Sequence, residues 1–124
     1  MSNNLTVLIA DDTAVARDNL KYILLNQDIT RIHEASNGKD AIEKYRRYSP
    51  DIIFLDISMP VVNGMECLTH IKSQSPDAYI ALVSGHSDVR TVKEAISSGA
   101  NGYIVKPFSA DKIKAIIDQY RQSH

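Results

Sequence analysis

Residues 52–60 read "IIFLDISMP". Four consecutive apolar side chains, Ile52 to Leu55, bounded by Pro50 and Pro60, form a run too short for a helix. An unbroken apolar run of this length is what a strand covered on both faces requires. It then ends on a carboxylate, Asp56. Taken alone, Asp56 either caps a loop or is held in a pocket for chemistry.

The same pattern recurs outward from this run. Short apolar runs stand at Thr6–Ala10, Arg31–Ala35, Tyr79–Val83 and Gly102–Val105, with helical periodicity between and after them. Ala16, Leu20, Ile23 and Leu24 fall on one helical face, as do Ala41, Ile42 and Tyr45. Met65, Leu68 and Ile71 follow, then Val89, Val92 and Ile96, then Ile113, Ile116, Ile117 and Tyr120. Parallel strands need crossover connections, so five strands alternating with five helices predict a doubly wound α/β domain with a parallel sheet covered on both faces. Gly38, Gly64, Gly85, Gly99 and Gly102 lie in or beside the predicted connections. The second helix is expected to start near Asn37-Gly38, and Ser109 is a candidate N-cap for the fifth.

Ligands in such sheets bind beyond the carboxyl ends of the strands. The first strand ends in Asp11-Asp12, the third in Asp56, the fourth in Ser84-Gly85 and the fifth in Lys106-Pro107. The second offers Glu34 and Ser36, which suggest no chemistry. Each residue alone has an ordinary reading as a loop or capping group, but their convergence on one edge is different. Crowded carboxylates raise one another's pKa unless a cation is present. An all-oxygen ligand set without Cys or convergent His suits Mg²⁺ rather than Zn²⁺. With Lys106 as a second positive charge, the edge describes a place where a phosphoryl group is neutralised. No Walker A loop is present, and a carboxylate can itself be the nucleophile. Asp56 is therefore the predicted phosphoacceptor.

The 124 residues fit one domain, 1–124, with a formal net charge of −1 that argues against a nucleic-acid surface. The basic clusters Lys44-Tyr45-Arg46-Arg47 and Lys112-Ile113-Lys114 read as solvated helix faces. Cys67 is the single cysteine, which excludes an internal disulfide and fits a reducing, cytoplasmic compartment. No signal-like segment or membrane-spanning run is apparent, and membrane insertion is not expected.

Together Asp11-Asp12, Asp56, Ser84 and Lys106-Pro107, with "MPVVNG" after the third strand and "GANGYIVKPF" near the end, resemble the receiver domains of two-component response regulators. The likeness is nearest to the stand-alone chemotaxis type and runs from Leu5 to Tyr120. It implies a flavodoxin-like fold with strand order 2-1-3-4-5. It also implies that Asp56 takes a phosphoryl group from a histidine kinase or a phosphotransfer protein. Asp12, Asp56 and the backbone carbonyl of Ser58 would bind Mg²⁺ directly, with Asp11 acting through water. Ser84 and Lys106 would contact the phosphoryl group, the Lys106–Pro107 bond would be cis, and Tyr103 would be the switch aromatic.

The resemblance further implies a signalling module whose only chemistry is its own phosphorylation and autodephosphorylation. Its target protein would bind the face made by the fourth helix, fifth strand and fifth helix, in a monomer or weak dimer. Ser58, Gly85 and His86 occupy positions that tune phosphoryl lifetime in this family. Ser84 stands where many relatives carry threonine, so the switching hydroxyl is kept without its methyl. The last helix is expected to end near Arg121, with no effector domain after it. Two other readings are weighed. A phosphatase of the haloacid dehalogenase type would need a second Asp two residues beyond the nucleophile, where Ser58 stands, and a cap domain. An interaction domain that has lost phosphorylation would not need every acidic, hydroxyl and lysine position filled.

Overall fold

Each apolar run forms a strand and each periodic segment a helix. The computed structural model describes residues 4–124, in the order β1 (Thr6–Ala10), α1 (Ala14–Leu25), β2 (Arg31–Ala35), α2 (Gly38–Tyr48), β3 (Ile52–Asp56), α3 (Gly64–Gln74), β4 (Ile80–Ser84), α4 (Val89–Ser97), β5 (Gly102–Val105) and α5 (Ala110–Ser123). The sheet is parallel throughout, in the order β2-β1-β3-β4-β5. The flavodoxin-like arrangement expected from the sequence is therefore the one found.

Alternation along the strands divides the core in two. Leu8, Ile53, Leu55, Ile80 and Leu82 pack with Leu68 and Ile71 of α3 on one face. Val7, Ile9, Ile52, Phe54 and Val83 pack with Leu20 and Leu24 of α1 and Ile113 and Ile117 of α5 on the other. Burial of each such side chain contributes roughly 1.5–3 kcal/mol before chain entropy is charged against it. β3 is buried along its whole length, Asp56 included.

Helix starts follow local chemistry. The Asn37 side chain accepts the Asp40 amide at 2.8 Å at the head of α2, where the cap was expected. Asn63 and Glu66 form a reciprocal capping box on α3, and Asp88 caps α4 through the Thr91 amide. Ser109 occupies the N-cap of α5, yet its side chain makes no capping bond.

Two further details differ from the sequence reading. β4 spans Ile80–Ser84, one residue later than the apolar run, because pairing continues through Ser84↔Val105 and the Lys106 amide bonds the Ser84 carbonyl. The apolar residues of α4 do not face the core as those of the other helices do. Val89 is 67% and Ile96 51% exposed, Val92 is half-buried, and only Ala95 of this helix is buried.

The β3–α3 loop is held tightly against the sheet edge. A Cβ on Gly64 would stand 2.3 Å from the Asp56 carbonyl oxygen, and one on Gly38 would stand 1.8 Å from that of Val62. Between them, the Val62 amide bonds the Pro60 carbonyl across Val61, whose φ is +67°. A γ-turn centred on a β-branched residue with positive φ is strained.

Candidate functional site

Strand C-termini and the loops after them bring four of the predicted groups together. Asp11, Asp12 and Asp56 each offer a carboxylate oxygen, and these lie within 4.8 Å of one another. Asp11 and Asp56 are buried, whereas Asp12 is exposed. The Lys106 ammonium lies 3.0 Å from Asp11 Oδ2 and 3.4 Å from Asp56 Oδ2. Three carboxylates against one ammonium leave two negative charges uncompensated, the deficit that a divalent cation fills.

The pKa directions of Asp56 and Lys106 reflect the same balance. Burial pushes the Asp56 carboxyl above its ordinary range and the Asp11 charge adds to that. Lys106 and the Ser58 amide act in the opposite direction without cancelling it. For Lys106, burial alone would lower the pKa, but its hydrogen bond to Asp11 and the charges of Asp56 and Asp11 outweigh it, so the ammonium is held. An apolar cleft of about 390 Å³, walled in part by Leu20, Phe54 and Phe108, adjoins the pocket and shares Asp11 and Lys106 with it.

Asp11 has its polar atoms occupied. The Thr13 amide and hydroxyl donate to Oδ1 at 3.0 and 3.1 Å, and the Asp11 amide donates to the Ala35 carbonyl at 3.1 Å. Arg17 Nη1 donates to the Asp11 carbonyl at 2.7 Å, and Arg17 Nε lies 3.1 Å from Glu34 Oε1. The Ser58 amide donates to Asp56 Oδ1 at 3.2 Å.

Ser84 is buried at the end of β4, and its Oγ accepts the His86 amide at 3.0 Å. The half-buried Tyr103 donates its hydroxyl to the His86 carbonyl at 2.7 Å, while the ring packs on the core. Ser84, His86 and Tyr103 thus form one connected cluster at the β4–α4 loop. Gly85 has open space where a side chain would stand, and His86 is exposed. The Lys106–Pro107 peptide bond is cis.

The sequence reading named Glu34 on the second strand but gave it no chemistry, and did not name Arg17. Glu34 ends no apolar run, and Arg17 sits among ordinary polar helix residues. Their relation to Asp11 follows from the β1–β2 register, which pairs Ile9 with Glu34 and Ala10 with Ala35. The buried Cys67 thiol, pushed up to about 12 by burial, is a core group and not a nucleophile. His33 stacks on Tyr48 and His124 on Tyr120, away from the acid pocket.

The donor set fits a hard divalent cation: oxygen ligands on one sheet edge, with a net negative charge. Among the described residues no helix is long and apolar enough to cross a membrane.

Residues 7–118 match the response regulator receiver domain family. The Chemotaxis protein CheY of Listeria monocytogenes is 37% identical over 115 residues, covering 93% of this chain and 97% of that relative. The CheY of Bacillus subtilis is 39% identical over 113 residues, covering 91% of this chain and 94% of that protein. The chain in a crystal structure of the CheX–CheY–BeF3–Mg²⁺ complex from Borrelia burgdorferi aligns with a TM-score of 0.89 and 30% identity, over 93% of this chain and 87% of that one. With fold, site and relatives in agreement, the chain belongs to the response regulator receiver domains of two-component signalling and is similar in sequence to their chemotaxis type.

Proposed function

We propose that this chain is a cytoplasmic single-domain phosphorylation switch in which Asp56 accepts a phosphoryl group from a histidine kinase or phosphotransfer protein. The observation that carries this reading is the buried Asp56 carboxylate at the end of β3, flanked by Asp11, Asp12 and the Lys106 ammonium. In the transfer, an Asp56 oxygen attacks phosphorus and the bond from phosphorus to the donor atom breaks. The departing donor takes up a proton, leaving an acyl phosphate on Asp56.

Asp12, Asp56 and the Ser58 carbonyl would hold Mg²⁺, with Asp11 acting through water. The bound cation supplies charge neutralisation for the transferring phosphoryl oxygens. Lys106 supplies the protein's own positive charge, and the Ser84 hydroxyl is the donor that closes on a phosphoryl oxygen. Burial of Asp56 shields it from bulk water, which strengthens its electrostatic contacts.

The output is a population shift. A phosphoryl group that draws Ser84 towards Asp56 alters the loop that Tyr103 holds through His86, and with it the face of α4, β5 and α5. Near-complete switching requires the active arrangement to be favoured by about 5.5 kcal/mol, and partial switching by less. Several charge-assisted hydrogen bonds in a partly desolvated pocket supply energies of this order. Gly85, His86 and Ser58 stand where they would govern water access and the phosphoryl lifetime. The exposed Val89, Ile96 and Val105 offer a target protein apolar contact on the switching face, in a chain that otherwise acts as a monomer or weak dimer.

The test is an intact mass spectrum after incubation with acetyl phosphate and Mg²⁺, beside Asp56→Asn. One Mg²⁺-dependent phosphoryl adduct, absent from the variant, supports the reading. An adduct that persists in Asp56→Asn places the acceptor elsewhere. Failure of every small-molecule and histidine-kinase donor to label a folded, Mg²⁺-binding chain points to an interaction domain without phosphorylation.

A further inference from the structure

Arg17 lies outside the acid pocket, half-buried on α1, and two of its nitrogens are committed. Nη1 donates to the main-chain carbonyl of Asp11 at 2.7 Å, and Nε pairs with Glu34 at 3.1 Å. Lys21 reaches the other Glu34 oxygen at 3.4 Å. The Arg17 side chain is 18% exposed, so this fork is largely shielded from competing water. A guanidinium held at two points is a rigid donor, which a single ammonium is not.

The position of that carbonyl matters. It belongs to the peptide linking Asp11 to Asp12, so its direction fixes the plane from which Asp12 departs. Asp11 is held several times over, by Thr13 on Oδ1, Lys106 on Oδ2 and the Ala35 carbonyl on its amide. None of those bonds reaches the Asp12 carboxylate, which is exposed at the rim of the pocket. The placement of Asp12 relative to Asp11 and Asp56 therefore depends on the backbone of the turn, and Arg17 is the side chain that clamps it.

We propose that Arg17, oriented by Glu34, is a positioning residue for divalent-cation binding, acting through the Asp11–Asp12 peptide. This rests on the reading of the acid pocket as a Mg²⁺ site. Without the clamp the peptide gains rotational freedom, and the cation must order it on binding. Outer partners that orient ligands in this way typically contribute about 10–100-fold to metal affinity. Arg17→Lys restores a donor to the carbonyl and a positive charge to Glu34, though without the rigid fork.

The experiment titrates the full chain with Mg²⁺ alone, followed by amide chemical shifts and calorimetry at a temperature where each variant is folded. Thermal unfolding of the metal-free proteins is recorded alongside. Ile117→Val, at a buried core position of α5, serves as a variant that loses stability without touching the clamp. The expected result is a Mg²⁺ dissociation constant at least about tenfold weaker in Arg17→Met, with most of that loss recovered in Arg17→Lys and Ile117→Val within about twofold of the parent. Arg17→Met within about twofold of the parent overturns the inference, as does Ile117→Val weakened as far as Arg17→Met. A parent chain that binds no Mg²⁺ overturns the metal reading and this inference together, whereas Mg²⁺ binding unmoved in Arg17→Met overturns this inference alone.

Discussion

Tyr103 donates its hydroxyl to the main-chain carbonyl of His86 at 2.7 Å, tying β5 to the loop that follows β4. The same His86 offers its amide to Ser84 Oγ. One residue of the loop is therefore pinned from both sides, by the predicted switch hydroxyl and the predicted switch aromatic. Tyr103→Phe keeps the ring in its packing and removes one hydrogen bond, a change of about 1 kcal/mol. Amide exchange at residues 85–88 is expected to rise in this variant while the strands keep their protection. Unchanged exchange would assign the hold on the loop to Ser84 alone.

Asp56 is pushed above its ordinary carboxylate range by burial and by the Asp11 charge. A folded pKa raised above the unfolded one means that the native state binds the proton more tightly. In the metal-free protein, the contribution of Asp56 to stability is then fully present below the ordinary carboxylate value and is lost as pH rises through the raised native pKa. Asp56→Asn removes this loss, so at neutral pH the variant is expected to melt higher than the parent, by about 4 °C for each kcal/mol relieved. The gain should shrink as pH falls below the ordinary Asp value of 3.8. Thermal unfolding from pH 3 to pH 8, a range on the scale of ordinary carboxyl and imidazole titration, measures it. An advantage that grows on acidification would contradict the sign.

Lys106 is the ammonium set between Asp11 and Asp56. Lys106→Met leaves two buried carboxylates facing each other without it, and a loss of roughly 1–3 kcal/mol is expected at neutral pH without metal. Mg²⁺ should then raise the melting temperature of the variant more than that of the parent, because the cation becomes the principal compensating charge. An equal or smaller Mg²⁺ effect in the variant would show that Lys106 does not offset these carboxylates.

Val61 is 78% exposed and holds φ at +67°, so its side chain contributes little packing to offset its backbone strain. Asn tolerates this region better than a β-branched residue. Val61→Asn is expected to stabilise the protein by about 1 kcal/mol, seen as a higher urea midpoint with an unchanged slope. A lower midpoint would mean that the Val61 side chain carries packing that its exposure does not reveal.

The central strands were legible because they are buried apolar runs such as Ile52–Leu55, whereas the edge strands β2 and β5 are only partly buried and were placed by their position in the alternation. The acid pocket was legible through chain order, since parallel topology carries Asp11, Asp12, Asp56 and Lys106 to one edge without any need to know their rotamers. Ser84 was correctly set at the end of β4, although the strand runs one residue further than its apolar run suggested, because backbone pairing does not stop where hydrophobicity does. What stayed hidden were contacts fixed by three-dimensional register. Glu34 meets Arg17 because β1 and β2 align at particular residues, and no local pattern records that. The direction of α4 was hidden as well: periodicity shows that Val89, Val92 and Ile96 share a stripe, but not that the stripe turns away from the core.

That outward stripe has a consequence for how such a chain can diversify. Since α4 is anchored in the core by Ala95, the side chains of Val89 and Ile96 are not committed to folding. Substitutions there meet solvent in the free protein, where exchanges usually change stability by less than about 0.5 kcal/mol. The outward residues of α4 can therefore be rewritten one at a time without displacing the buried acidic groups at the carboxyl ends of the strands. A surface that is free to vary and a pocket that is not thus share one short chain.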